Sequence, residues 1–280
     1  MSLGRASGKA ILLGEHFVVY GAPALAVPLK ARCVEVELDF ASPDWDVPEL
    51  CRPLLEKMLL LLGLKPTETS LRVSGDLPLG QGLGGSAALA VALLRSLGYT
   101  DERELQERAH ALERLSHGEP SGIDDTVVSW ERPVYFIKGQ GAQVLAPCDG
   151  FRLWVATTGD KGSTKEAVAN AARWRRKNPI DFHTMNERAT ELVDGARIDL
   201  ESGAFEELGD KMSENHGLLR QLGVSTPTLD RLVSRAIDAG AWGAKLTGAG
   251  LGGAIIALAP EGCDLSNVLL ESGAQEVIAP

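Results

Sequence analysis

The sequence is short of cysteine, of positive charge and of long apolar runs, and each shortage excludes a class of protein. The 280 residues hold four cysteines, Cys33, Cys51, Cys148 and Cys263, far apart and with no CxxC pair. That spacing argues against a zinc cluster or a dense disulfide framework and fits a reducing, cytoplasmic compartment. Each cysteine reads as a small buried apolar residue. Lys and Arg number 28 against 38 Asp and Glu, a formal charge of -10. Nothing global therefore attracts nucleic acid or an anionic membrane, and any cation that meets an anionic substrate must be local. No apolar stretch reaches the roughly 18 residues a bilayer span needs. The richest, Met58 to Leu64, reads as the end of a buried helix. The N-terminus has no signal-peptide pattern, because Gly4, Arg5, Gly8, Lys9 and Glu15 interrupt any apolar run.

What is present is an ordinary globular composition, 44% hydrophobic, in a chain long enough for one large domain or two modest ones. Lys9 to Gly14 reads as a short buried strand, and Cys33 to Phe40 alternates as a strand with one wet face. Pro48 to Gly63 has the spacing of an amphipathic helix, and Ser70 to Ser74 that of a strand. Ser86 to Leu97 is apolar on nearly every side, as a central helix is, with Gly98 placed as its C-terminal cap. Glu102 to Leu115 is a more polar helix; Val134 to Ile137 and Leu153 to Thr157 are strands. The second half predicts helices at Thr164 to Lys177, His183 to Asp199, Phe205 to Leu222 and Thr228 to Ala239, then a strand at Ala254 to Leu258. The pattern is α+β, with a change to helix-rich sequence near residue 160 that suggests domains 1–160 and 161–280.

Between the strand at Ser70 and the central helix lies Gly80-Gln81-Gly82-Leu83-Gly84-Gly85-Ser86. A glycine-rich loop that opens a helix can direct several backbone N–H groups at one anion, and the helix dipole adds to the potential there. Gly80, Gly82 and Gly85 satisfy G-x-G-x-x-G, but Gly75-Asp76-Leu77-Pro78 intervenes after the strand and a charged helix follows, so the dinucleotide fold is excluded. Gly80 and Gly85 also have the Walker A glycine spacing. Ser86-Ala87 stands where that loop carries Lys and Ser or Thr, so a kinase using it must find its cation elsewhere. Taken alone, a tight turn chosen for packing explains the segment too.

Two further constellations stand out. Lys9 opens a short apolar strand and Glu15-His16 leaves it, so charged groups at both its ends could line one cleft. Glu113 lies near the end of a helix and Asp124 follows a Pro-Ser-Gly turn. An aspartate placed by a rigid turn suits a general base, and a nearby glutamate a magnesium ligand. Judged singly, a surface lysine, a polar turn and solvated carboxylates account for these segments equally. A third glycine cluster, Lys245 to Gly253, precedes the last apolar strand and reads as an anion-facing backbone or a hairpin turn.

In this order the segments resemble the GHMP family of small-molecule kinases over essentially the whole chain. The glycine turn is similar to the family's P-x-G-x-G-L-G-S-S-A loop, and residues 245–253 to its C-terminal glycine motif. GKAILLGEHFVVYG and HGEPSGIDD look like segments of the family's mevalonate kinases. The resemblance implies a two-domain fold, with an N-terminal domain like ribosomal protein S5 domain 2 and a ferredoxin-like C-terminal domain. It implies phosphoryl transfer from MgATP to the 5-hydroxyl of (R)-mevalonate. It implies Asp124 as base, Lys9 beside it, and Ser86 and Glu113 as magnesium ligands. Leu79, Gly80, Gln81, Gly82, Leu83, Gly84, Gly85 and Ser86 would form the ATP phosphate loop. Glu15, His16, Tyr20 and Thr164 would face mevalonate, and a homodimer is the expected assembly. A related acceptor or a non-catalytic nucleotide sensor are the rival readings. Three positions depart from the family pattern: Ser7 for proline, Gly85 for serine, and Asp125 for asparagine. The last places a second negative charge beside the base.

Overall fold

A computed structural model describes residues 2–40, 43–146, 150–160 and 162–279. The chain divides into two compact units, each assembled from separated segments. Strands β1 (Ser2–Leu13) and β2 (Ala24–Asp39) contribute to both, a short 3-10 turn at Phe17–Tyr20 lying between them.

The first unit comprises Met1–Lys9, Pro28–Leu79 and Gly84–Glu131. It holds β3 (Trp45–Asp46), α1 (Arg52–Leu61), β4 (Ser70–Gly75), α2 (Gly85–Ser96), α3 (Glu102–His117) and α4 (Ile123–Trp130). The far end of β2 runs antiparallel to β4 from Val34 opposite Gly75 to Asp39 opposite Ser70, and β3 joins β4 in parallel. Helix α2 is rich in Ala and Leu, strong helix formers, and is buried from Ala87 to Leu94. Its neighbours are α3 and α4, and β1 lies against it where a Cβ on Gly4 would stand 1.9 Å from Ala92 O. Helix α3 starts where Asp101 accepts a hydrogen bond from the Glu104 N–H.

The second unit comprises Ala10–Val27, Gly80–Leu83 and Arg132–Pro280. Here β5 (Val134–Ile137) pairs with the first residues of β2 and with β6 (Gly141–Val144). A second, antiparallel sheet has the order β10-β7-β9-β8, from β7 (Arg152–Thr157), β8 (Gly243–Thr247), β9 (Ala254–Ala259) and β10 (Glu276–Ile278). Helices α5 (Thr164–Lys177), α6 (Pro179–Ser202), α7 (Phe205–Gln221), α8 (Pro227–Asp238) and α9 (Ser266–Glu271) belong with it. Its core joins Trp154, Met185, Leu219, Leu232 and Ile255. Helix α7 approaches β8 so closely that a Cβ on Gly243 would stand 1.9 Å from Gly209 O.

The α+β class stands, and α5 and β5 have the bounds the spacing predicts. Other segments differ from expectation. Met58 and Leu59 are buried, but Leu60 and Leu61 are 62% and 55% exposed, so the apolar run ends at the surface. Asp124 sits in the first turn of a helix, α4, which the turn-rich HGEPSG run hides; an acid there meets a favourable dipole. The third glycine cluster is a β-hairpin, one of its two expected readings, and its first residues, Lys245 to Thr247, end β8. Cys33 and Cys51 are buried as expected, Cys263 is only partly buried, and Cys148 lies outside the described residues. Among the described residues no helix is long and apolar enough to cross a membrane.

Candidate active site

In the second unit, Gly80 and Gly82 both have φ of 80°, a conformation that costs an L side chain but not glycine. The hairpin between β8 and β9 approaches this loop backbone to backbone. A Cβ on Gly82 would be 3.1 Å from Thr247 O, one on Gly248 2.8 Å from Gly82 O, and one on Gly253 3.0 Å from Gln81 O. The two glycine clusters of the sequence are therefore one packed feature. Leu83 and Gln81 are buried while Gly80 and Gly82 are exposed, so the loop shows backbone rather than side chain to solvent. Leu79, half-buried, belongs to the first unit.

In the first unit, four predicted side chains meet. Gly84, with φ 76°, is the residue before α2, and Ser86 lies in that helix's first turn. The stem of Lys9 runs against this point: a Cβ on Gly84 would be 2.7 Å from Lys9 Cγ. Lys9 is 1% exposed, and a buried ammonium needs an anionic partner. Its Nζ lies 3.1 Å from Asp124 Oδ1, and the Asp124 side chain keeps 31% exposure. Glu113, on α3, is 1% exposed and hydrogen-bonded to Ser86. Burial, and then the neighbouring Asp124 carboxylate, push its pKa up to about 8; the Ser86 hydrogen bond opposes the rise. Without a cation, Glu113 is therefore mostly protonated at neutral pH.

Two oxygen-bearing residues, Ser86 and Glu113, are a hard donor set. Among the described residues no cluster of three or more His, Cys, Asp or Glu could hold a metal unaided. The set thus fits magnesium, which takes one or two protein ligands and completes its shell with water and phosphate oxygens.

Asp125 faces elsewhere. It is fully buried, with Oδ2 accepting from Gln106 Nε2 at 2.7 Å and Oδ1 3.2 Å from His110 Nδ1. Burial pushes its pKa up to about 6, opposed by His110 and Gln106. The extra acid is thus held by α3 residues.

The remaining predicted residues lie in the second unit. Glu15, 2% exposed, is ion-paired to Lys245, which is fully buried. His16 Nε2 is 2.8 Å from Ala249 O. Tyr20 packs edge-on to Phe182 at 4.9 Å, with the Arg175 guanidinium 4.7 Å from its ring centre. Thr164 is the exposed first residue of α5. It follows Gly162 by two positions, where a Cβ would be 2.4 Å from Gly250 O. Sequence reasoning quoted Lys245 only as the start of a glycine cluster and missed its pairing. The available signal was a lone lysine in an apolar run and a lone glutamate closing another.

The model for the GHMP kinases N terminal domain matches residues 50–131, and that for GHMP kinases C terminal matches residues 196–271. A mevalonate kinase of Pyrococcus abyssi is 35% identical, covering 92% of this chain and 88% of its own. That of Methanothermobacter thermautotrophicus is 34% identical, covering 92% and 90%. Among solved structures, L. major mevalonate kinase in complex with R-mevalonate superposes with a TM-score of 0.86. It shares 27% identity and covers 100% of this chain and 95% of that one.

Proposed function

Since the chain belongs to the GHMP kinase family, and so is an ATP-dependent kinase, we propose that it transfers the γ-phosphate of MgATP to the 5-hydroxyl of (R)-mevalonate. The products are 5-phosphomevalonate and ADP. The observation that carries the mechanism is the Lys9–Asp124 pair: a buried ammonium 3.1 Å from a carboxylate that remains partly open to solvent.

Asp124 is the base. It accepts the proton as the 5-oxygen forms its bond to the γ-phosphorus and the bond to ADP breaks. Lys9 stabilises the negative charge that develops on that oxygen, in a desolvated position where a fixed charge acts strongly. The first N–H groups of α2, a helix with no side-chain cap after the left-handed Gly84, would serve as donors to phosphate oxygens. Leu79 to Ser86 form the ATP phosphate loop, so positioning and charge neutralisation do most of the work, as phosphoryl transfer requires. Magnesium held by Ser86 and Glu113 would supply the charge that a Walker lysine supplies in other kinases. His16, Tyr20 and Thr164 are assigned to the acceptor side; Glu15, buried in its pair with Lys245, is not. The family domains are assigned to 1–160 and 161–280. A homodimer in the cytoplasm goes with this reading.

A coupled ADP-release assay across (R)-mevalonate, 5-phosphomevalonate and galactose tests the proposal. Turnover should depend on mevalonate. Asp124→Ala should lose about 100-fold or more in kcat, the range of a removed general base, while still binding ATP. Near-wild-type turnover in that variant would remove Asp124 from the mechanism.

A further inference from the structure

The pair Lys245–Glu15 is unexpected. The two side chains are 0% and 2% exposed, and a buried ion pair is commonly no more stabilising than apolar residues of the same volume. Its neighbours suggest why it is kept. Lys245 Nζ donates to Leu246 O at 2.7 Å and approaches Ile11 O at 3.5 Å. Two residues on, Thr247 Oγ1 accepts from the Ile11 N–H at 3.1 Å and donates to Ile11 O at 3.2 Å. Two further on, Ala249 O accepts from His16 Nε2 at 2.8 Å. Positions 245, 247 and 249 are thus each gripped by the segment 11–16.

The grip carries strain. His16 has φ 62° and ψ -41°, a conformation an L residue holds only where its surroundings over-determine it. The residue before it is held by Lys245, and its own ring is held by Ala249. On the same stretch, Gly248 lies between Thr247 and Ala249 and meets the backbone of Gly82. The segment that Lys245 and Glu15 anchor is therefore the segment on which the phosphate loop rests.

We propose that Lys245, through its buried pair with Glu15, is a positioning residue for nucleotide binding: it fixes the glycine hairpin in the register that shapes Gly80–Leu83. The proposal rests on the kinase reading above. Lys245 does not touch the nucleotide; it sets the height and angle of the backbone that supports the loop. Glu15 then serves the ATP side through Lys245 rather than the acceptor directly.

The test separates positioning from mere stability. The double variant Glu15→Leu with Lys245→Met removes both charges at similar volume, so no charge is left buried and alone. It should melt within a few degrees of wild type yet bind MgAMPPNP at least tenfold more weakly by calorimetry. Its KM for mevalonate should change less than about threefold. Should the double variant fail to fold, Glu15→Asp decides. It keeps the charge but withdraws the carboxylate by one methylene. It should raise the KM for ATP at least fivefold with kcat within about threefold of wild type. Wild-type nucleotide affinity in a folded double variant, or wild-type KM for ATP in Glu15→Asp, overturns the proposal while leaving the kinase reading intact. A wild-type protein that binds no nucleotide overturns that reading and this proposal together.

Discussion

Replacing Glu113 by Gln should make the ligand-free protein more stable and the loaded protein less so. The unfolded chain carries Glu113 at its ordinary value of 4.5, whereas the folded site moves it up to about 8. The folded state therefore holds a proton that the unfolded state gives up. Its cost is absent below pH 4.5, grows as pH rises, and levels off above about 8. At pH 7 the difference is about 2.5 pH units at 1.36 kcal/mol each, or about 3 kcal/mol. Glutamine keeps the shape and can keep a hydrogen bond to Ser86 but has no proton to hold. Urea denaturation without metal should show Glu113→Gln gaining stability over wild type, by a margin that widens from pH 5 to pH 8. Adding magnesium and AMPPNP should reverse the order. Binding of the magnesium nucleotide at pH 7 should also release up to about one proton more from wild type than from the variant, read by calorimetry in buffers of different ionisation enthalpy. A ligand-free stability gap that does not vary with pH, or equal proton release in the two proteins, would refute the argument.

Other expectations are equally specific. Gly84→Ala places a methyl 2.7 Å from Lys9 Cγ on a lysine with no room to swing. It should reduce kcat at least about tenfold, since displacements near 1 Å cost up to about 100-fold, while KM for mevalonate moves less. Gly248→Ala, 2.8 Å from Gly82 O, should instead raise the KM for ATP. His216 is held neutral: burial first, and then Lys245, lower its pKa to about 4 against the pull of Asp230. Its Nδ1 meets the Leu246 N–H at 3.3 Å and its Nε2 lies 3.1 Å from Asp230 Oδ1, which suits the Nε2–H form. Stability from this site is complete above pH 6.5 and is lost as pH falls toward 4. The loss is about 2 kcal/mol at pH 5. Denaturation of His216→Gln should show that component gone, and an unchanged slope between pH 7 and 5 would contradict it.

The legible parts of this molecule were those with local causes. Helix α2 is written in a run of Ala and Leu, α5 in its spacing after Ser163, and the loop in alternating glycines. Helix α4 was hidden because it is eight residues long and begins directly after a turn. Strand β8 was hidden because both its faces are buried, so GAKLT shows no alternation. Its buried lysine finds its partner 230 positions earlier in the chain, and no window of sequence contains both. Asp124 and Glu113 stand out from their turn and helix end, but joining them with Lys9 and Ser86 into one proposed site took the resemblance. What sequence could not give was its electrostatics: the near-complete burial of Lys9 and Glu113, and the hold of Gln106 and His110 on the buried Asp125 carboxylate.

The most direct test of the account is the product formed when the purified protein is given MgATP and (R)-mevalonate, followed by phosphorus NMR and mass spectrometry. The account predicts a phosphomonoester on the 5-oxygen, appearing one for one with ADP and abolished in Asp124→Ala. A phosphoryl group on another oxygen, or ADP formed at the same rate without mevalonate, would contradict it.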